Sequence, residues 1–185
     1  MNWLFEPFPV WPLRSRLPEY PVVVEHDDTG PWTVRTDSRA LLAYRGRVPP
    51  FPPARRDAAS FFVPYLRALP SGGQLVGYQR LLCWLGPPRR PELCPDCASS
   101  GRECDACGGY GMLTFPRPGR IAGLAIDRNH LGRVMCGLEA IEVSVLGTTL
   151  LKAEMLFVES AHWRVVAMPT NVPSSDLLDV FDAIS

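Results

Sequence analysis

Four cysteines stand within fourteen residues, Cys94, Cys97, Cys104 and Cys107, in the pattern CPDC-x6-CDAC. Each Cys-x-x-Cys pair lets the chain curl around one ion, and two such pairs bring four thiolates to the corners of a tetrahedron. Soft sulfur donors in that number select zinc, one ion per chain, and leave no position open for substrate, so the ion is structural. Gly108, Gly109 and Gly111 follow the second pair. They allow the close backbone approach that turns amide N–H groups toward sulfur. A knuckle this short has no core of its own, and metal binding then supplies most of its folding free energy, on the order of 10 kcal/mol. Two other uses of the same residues stay open. CPDC alone has the spacing of a thiol–disulfide redox pair, though it follows Pro87-Pro88 and no helical pattern comes after it. Four cysteines also serve an iron–sulfur cluster.

Little else in the chain carries reactive chemistry. His26, His130 and His162 are scattered, none at i,i+4 spacing to another ligand type, and no phosphate-binding loop, nucleophile elbow or dinucleotide fingerprint is present. Cys83 and Cys136 lie in apolar runs and read as small buried hydrophobes. A non-enzymatic protein is the expectation. The chain has 18 arginines and a single lysine, Lys152. Residues 1–90 carry 12 Arg against 7 acids and residues 91–185 carry 7 bases against 12 acids, which cancel to a net charge of zero.

The elements that must position the cysteines belong to one ordinary domain. The chain of 185 residues is 46% hydrophobic and 21% charged, near the globular average. No stretch approaches the roughly 20 apolar residues of a bilayer span. The N-terminus is broken by Pro7, Pro9 and Pro12 where a secretion signal needs an unbroken apolar run. A cytoplasmic location without membrane attachment follows, and a reducing compartment favours metal over disulfides for closely spaced cysteines.

Residues 1–21 hold five prolines and read as an extended arm with Trp3, Phe5, Phe8 and Trp11 as its anchors. Strands are expected at 22–26, 32–36 and 41–48, with Asp27 to Gly30 as a hairpin turn. A proline linker at 49–53 leads to a helix from Asp57 carrying Phe61, Phe62, Tyr65, Leu66 and Leu69 despite Pro64. Residues 75–85 read as a strand and 112–115 as its return, so the knuckle at 87–111 interrupts a hairpin. A strand at 121–126 precedes a helix capped by Asp127, with Leu131, Val134, Met135 and Leu138 as its buried stripe. Strands at 140–146, 149–158 and 162–168 follow, then an amphipathic segment at 171–185 opened by Ser174-Ser175-Asp176, with Leu177, Leu178, Phe181 and Ile184. The fold class is α+β, an antiparallel sheet spanning 22–86 and 112–170 with two helices on one face.

Two local resemblances add to this. CDACGGYG resembles the C-x-x-C-x-G-x-G repeat of DnaJ-type co-chaperones, and CPDCASSG is similar to a degraded copy. One pair of half-repeats stands where that family has four, without its His-Pro-Asp tripeptide, so the likeness implies zinc and a hairpin platform and not the co-chaperone activity. Outside the knuckle, three segments resemble a domain of the bacterial sliding clamp, the β subunit of the replicative polymerase. They are Val34 to Ala43 (VRTDSRALLA), Phe61-Phe62-Val63-Pro64 with Leu66 and Leu69, and the run from the 121–126 strand through the next helix and strands to Trp163-Arg164-Val165-Val166-Ala167-Met168-Pro169. Ser38 stands where the clamp pattern has glycine.

The clamp likeness implies a non-enzymatic accessory in DNA replication or repair, of a phage or other mobile element. A ring would need about six copies of so short a chain, so further copies of itself and duplex DNA are the implied partners. Arg67, Arg128 and Arg133 would meet phosphates, with His130 beside them. Leu177 to Phe181 resembles the short peptide with which many proteins dock into a clamp cleft, Leu178 and Phe181 being its anchors. The alternative is a protein-interaction adaptor that binds through the arm and the knuckle with no nucleic acid.

Overall fold

A computed structural model of the chain describes residues 21–25, 30–37, 39–46, 56–67, 72–97, 104–107, 111–171 and 180–181, the side chains of 56–58 and 180 excepted. The fold is α+β. The strands are β1 (Val22–Val24), β2 (Trp32–Thr36), β3 (Ala40–Arg45), β4 (Gln74–Gly77), β5 (Glu92–Leu93), β6 (Met112–Leu113), β7 (Pro118–Ile121), β8 (Leu124–Asp127), β9 (Glu142–Leu150), β10 (Ala153–Glu159), β11 (Trp163–Ala167) and β12 (Val180–Phe181). The helices are α1 (Arg56–Leu66), α2 (Tyr78–Leu85) and α3 (Arg128–Met135). Seven strands form one antiparallel sheet in the order β1-β2-β3-β11-β10-β9-β4. A second sheet, β12-β7-β8, and a two-stranded ladder, β5-β6, complete the set among the described residues.

Side chains alternate between the two faces of a strand, so the large sheet presents two apolar surfaces. On one face Leu42, Val143, Val145, Leu156, Val158, Trp163 and Val165 pack with Tyr78, Leu81 and Leu85 of α2, Leu131, Val134 and Met135 of α3, and Ile121, Leu124 and Ile126. On the other, Trp32, Val34, Leu41, Ala43, Met155, Phe157 and Val166 pack with Phe62, Tyr65 and Leu66 of α1. A fully buried Val or Leu side chain contributes about 1.5–3 kcal/mol. The two helices expected from sequence, α1 and α3, thus lie on opposite faces of the sheet. The pair sharing one face is α2 with α3.

Helix α2 replaces part of an expected strand. Tyr78, Leu81 and Leu85 are its buried residues, at offsets of three and seven, which is helical spacing. The Tyr78 hydroxyl donates to the carbonyls of Met135 (3.3 Å) and Leu138 (3.2 Å) and so ties α2 to the end of α3. The strand expected at 121–126 is instead a hairpin, β7 and β8, turning on Ala122 (φ 49°) and Gly123 (φ 79°). The break expected near Gly147 is absent. β9 runs through that glycine to turn on Leu151-Lys152, and the position needs glycine because a Cβ at 147 would stand 2.5 Å from the Ala122 carbonyl oxygen of the small sheet. Met112-Leu113 pairs with Glu92-Leu93 instead of with residues 75–85, so the knuckle carries its own ladder. Near the C-terminus, Val180-Phe181 is a short strand parallel to β7.

Arg164 ends helix α1. Its guanidinium is 2% exposed and donates to the carbonyls of Tyr65 (2.7 Å) and Arg67 (2.6 Å) and to Glu159 (2.7 Å). Carbonyls in the last turn of a helix have no partner within it, and a buried cation satisfies them.

Candidate metal centre

The knuckle leaves the domain between α2 and β7. Cys94 follows β5 directly, and its N–H donates to the Gly111 carbonyl (3.0 Å), extending the β5-β6 ladder. Cys97 lies at the end of the next turn. Cys104 precedes, and Cys107 closes, a 3-10 turn over Asp105–Cys107. The four Sγ atoms all lie within 4.8 Å of one another, with Cys94 to Cys104 at 3.6 Å and Cys97 to Cys107 at 3.8 Å. A tetrahedron with metal–sulfur bonds of about 2.3 Å has edges of about 3.8 Å. The four cysteines therefore stand close enough together to be able to hold a metal ion. Cys94 and Cys107 are buried and Cys97 and Cys104 half-buried.

The Gly111 amide donates to the Cys107 sulfur at 3.1 Å from a left-handed backbone, φ 73°, that glycine tolerates without strain. Burial pushes the Cys107 thiol up, but that amide and the neighbouring thiols outweigh it and bring Cys107 down to about 7. At Cys104 a hydrogen bond with the Cys107 backbone favours the thiolate, yet burial and the three other sulfurs push the thiol up to about 12. Crowded sulfurs of this kind all ionise only around a cation. Gly108 and Gly109 lie outside the described residues.

The base of the knuckle is fastened to the start of α3 on both limbs. On the incoming limb, Asn129 Nδ2 donates to the Arg89 carbonyl at 2.9 Å and Asn129 Oδ1 accepts the Arg89 N–H. On the outgoing limb, Asp127 Oδ1 accepts the Arg117 N–H (3.0 Å), and the Arg128 N–H returns a bond to the Arg117 carbonyl (2.8 Å). The same Asp127 oxygen caps α3 through the N–H groups of Asn129 (3.0 Å) and His130 (3.2 Å). Arg117 also reaches back to the carbonyls of Leu85 (2.9 Å) and Pro87 (3.2 Å), closing the end of α2. Arg89 lies over the Phe115 ring, 3.4 Å from its centroid, and pairs with Glu92 at 3.0 Å. Sequence reasoning found Asp127 as a cap but missed Asn129, Arg89 and Arg117. A polar residue two places after a cap carries no signal of a partner forty residues away.

A second polar group joins the β2–β3 turn to the same helix. Asp37 accepts from the N–H groups of Arg39 (3.0 Å) and Ala40 (2.9 Å) and stands 3.3 Å from His130 Nε2, while Arg39 pairs with Asp127 at 3.3 Å. Burial pushes Asp37 up, but the His130 imidazole and the two amides outweigh it and hold its carboxyl below the ordinary 3.8.

In comparisons with known proteins, no family model, no curated protein and no solved structure matches the chain.

The other expected site residues are dispersed. Arg67 is exposed at the end of α1, whereas Arg128 and Arg133 are half-buried on α3, across the sheet from it. Arg128 lies over the Trp84 ring, 5.4 Å from its centroid. Phe181 is buried in its own domain, 5.2 Å from the Trp84 ring, with Arg80 over it at 5.7 Å. Trp3, Phe5, Phe8, Trp11 and Leu178 lie outside the described residues. Cys83 and Cys136, expected in the core, are exposed on the outer side of α2 and just past α3. Among the described residues no helix is long and apolar enough to cross a membrane.

Proposed function

We propose that this chain is a non-enzymatic zinc protein in which one structural Zn2+ on Cys94, Cys97, Cys104 and Cys107 builds the knuckle and offers it to another protein. The observation that carries this reading is the sulfur geometry, all four atoms within 4.8 Å of one another and two of the six edges, 3.6 and 3.8 Å, close to those of a zinc tetrathiolate. Leu93 supports the second half of it. On the short β5-β6 ladder beside the cluster this leucine is 68% exposed, and an apolar side chain held outward on a metal-fixed hairpin suits protein contact. Cross-linking of the zinc-loaded chain to its partner, followed by mass spectrometry, tests the assignment. Capture should fail in both Cys97→Ser and Leu93→Asp and survive in Arg128→Glu; capture unaffected by Leu93→Asp would dismiss the knuckle as the contact.

A clamp-like DNA accessory is the second reading, favoured by one observation. Helix α3 is followed by the meander β9-β10-β11, the succession of one helix and three strands on which the clamp resemblance rests. The placement of Arg67 across the sheet from Arg128 and Arg133 speaks against a single phosphate-facing surface. A salt-titrated duplex-binding assay with mass measurement in solution separates the two readings. A strict monomer with no affinity for DNA at low salt would eliminate the clamp role.

A further inference from the structure

Away from the cysteines, on the α1 face of the sheet, lies an apolar cavity of about 270 Å³. Phe61 and Tyr65 of α1 form one wall, Leu41, Val166 and Met155 its floor, and Thr36, Arg39 and Met168 stand at its edge. Phe61 and Met168 are 42% and 48% exposed, two of the few large apolar side chains left open on the described surface. The floor follows one row of the sheet, in which Thr36 pairs with Leu41 and Leu41 with Val166.

That row leads to the point where residues 1–20 join the fold. β1 pairs with β2 so that Val22 faces Val34 and Val24 faces Trp32, and this antiparallel register sets Pro21, at the entry to β1, toward the Thr36 end of β2. The segment therefore joins the fold at the cavity's own end of the sheet. Three inter-strand spacings, about 14 Å, separate that position from Val166. The nine residues between Trp11 and Pro21 reach about 28 Å in an extended proline-rich conformation. A segment with four prolines before Pro21 cannot form a ladder that would shelter Trp3, Phe5, Phe8 and Trp11, and each ring gains most where apolar walls already stand. The volume suits one large ring. Met155 and Met168, unbranched and polarizable, adapt their shape to it.

We infer that the cavity between α1 and the sheet is the docking site for this chain's own N-terminal segment, filled by an aromatic side chain of residues 3–11. The segment thereby covers Phe61 and Met168. This inference is independent of the metal.

Nuclear Overhauser spectra of the full zinc-loaded chain, carrying carbon-13 methyl-labelled methionine, test it. The Met155 and Met168 methyls should show cross-peaks to aromatic protons that are lost when Trp3→Ser, Phe5→Ser, Phe8→Ser and Trp11→Ser are combined. The Met135 methyl, 0% exposed in the opposite core, should keep its position and report that the variant is folded. A Met155 and Met168 spectrum unchanged in that variant overturns the inference. So do cross-peaks that arise only between differently labelled molecules, which would place a second copy's segment in the cavity.

Discussion

The side-chain amide of Asn129 pairs with the backbone of Arg89 in both directions, its Nδ2 donating to the carbonyl at 2.9 Å and its Oδ1 accepting the N–H. One buried side chain thus holds the incoming limb of the knuckle as a neighbouring strand would. With Asp127 holding the outgoing limb at Arg117, the cysteine module is fixed at its base on both limbs.

Asn129→Ala removes two hydrogen bonds at a site 6% exposed and leaves both Arg89 backbone groups without a partner. The expected cost is about 1–3 kcal/mol. Chelator competition should show faster metal loss than in the native chain, and urea denaturation a lower midpoint. A native rate of metal loss would mean that the limb is held by the ion alone.

Asp37 gives the fold an acid-sensitive joint. Its folded pKa lies below 3.8, so its contribution is complete above the unfolded value and is lost as pH falls from there through the folded value. Asp37→Asn should be less stable than the native chain at neutral pH, and the gap should narrow steadily below pH 3.8. Thermal melts across that range check it; a gap that stays constant or widens toward low pH contradicts the coupling to His130.

The β9–β10 turn is strained. Leu151 (φ 52°) and Lys152 (φ 65°) both occupy the left-handed region that a two-residue hairpin demands, where Asn-Gly is the relaxed choice. Replacing them with Leu151→Asn and Lys152→Gly should raise stability by about 1 kcal/mol without changing metal content. Differential scanning calorimetry reads the shift, and a lower melting temperature would show that the exposed Leu151 is held by contacts of its own.

Arg164→Ala should be the most damaging single change outside the core. It strands the Tyr65 and Arg67 carbonyls at the end of α1 and leaves Glu159 with Arg45 (3.1 Å) as its ion-pair partner among the described residues. Loss of a buried cation that holds two carbonyls and a carboxylate costs about 3–5 kcal/mol. Equilibrium unfolding measures it, and a change within about 0.5 kcal/mol, typical of surface sites, would refute the cap.

The local signals in the sequence were reliable where they rest on chemistry confined to a few residues. The cysteine spacing, the Asp127 cap and the Leu131, Val134, Met135 stripe all describe contacts made within one turn or one short loop, and each is present in the fold. What escaped was set at long range. Residues 78–85 read as a strand because an apolar run of that length fits either period until α3 packs against it. Gly147 read as a break because its close approach to Ala122 exists only once the small sheet crosses β9. Cys83 and Cys136 were misplaced for the same reason, since their neighbours in sequence face the core while they face away. Phe181 read as an anchor for a partner, and the fold places it against Trp84.

Elemental analysis of the purified chain, with cobalt substitution, tests the central claim most directly. The account predicts one zinc per chain, cobalt spectra of a tetrahedral tetrathiolate, and loss of both in Cys97→Ser. A chain purified under reducing conditions with no bound zinc, an iron–sulfur chromophore, or a disulfide between any two of Cys94, Cys97, Cys104 and Cys107 would contradict it.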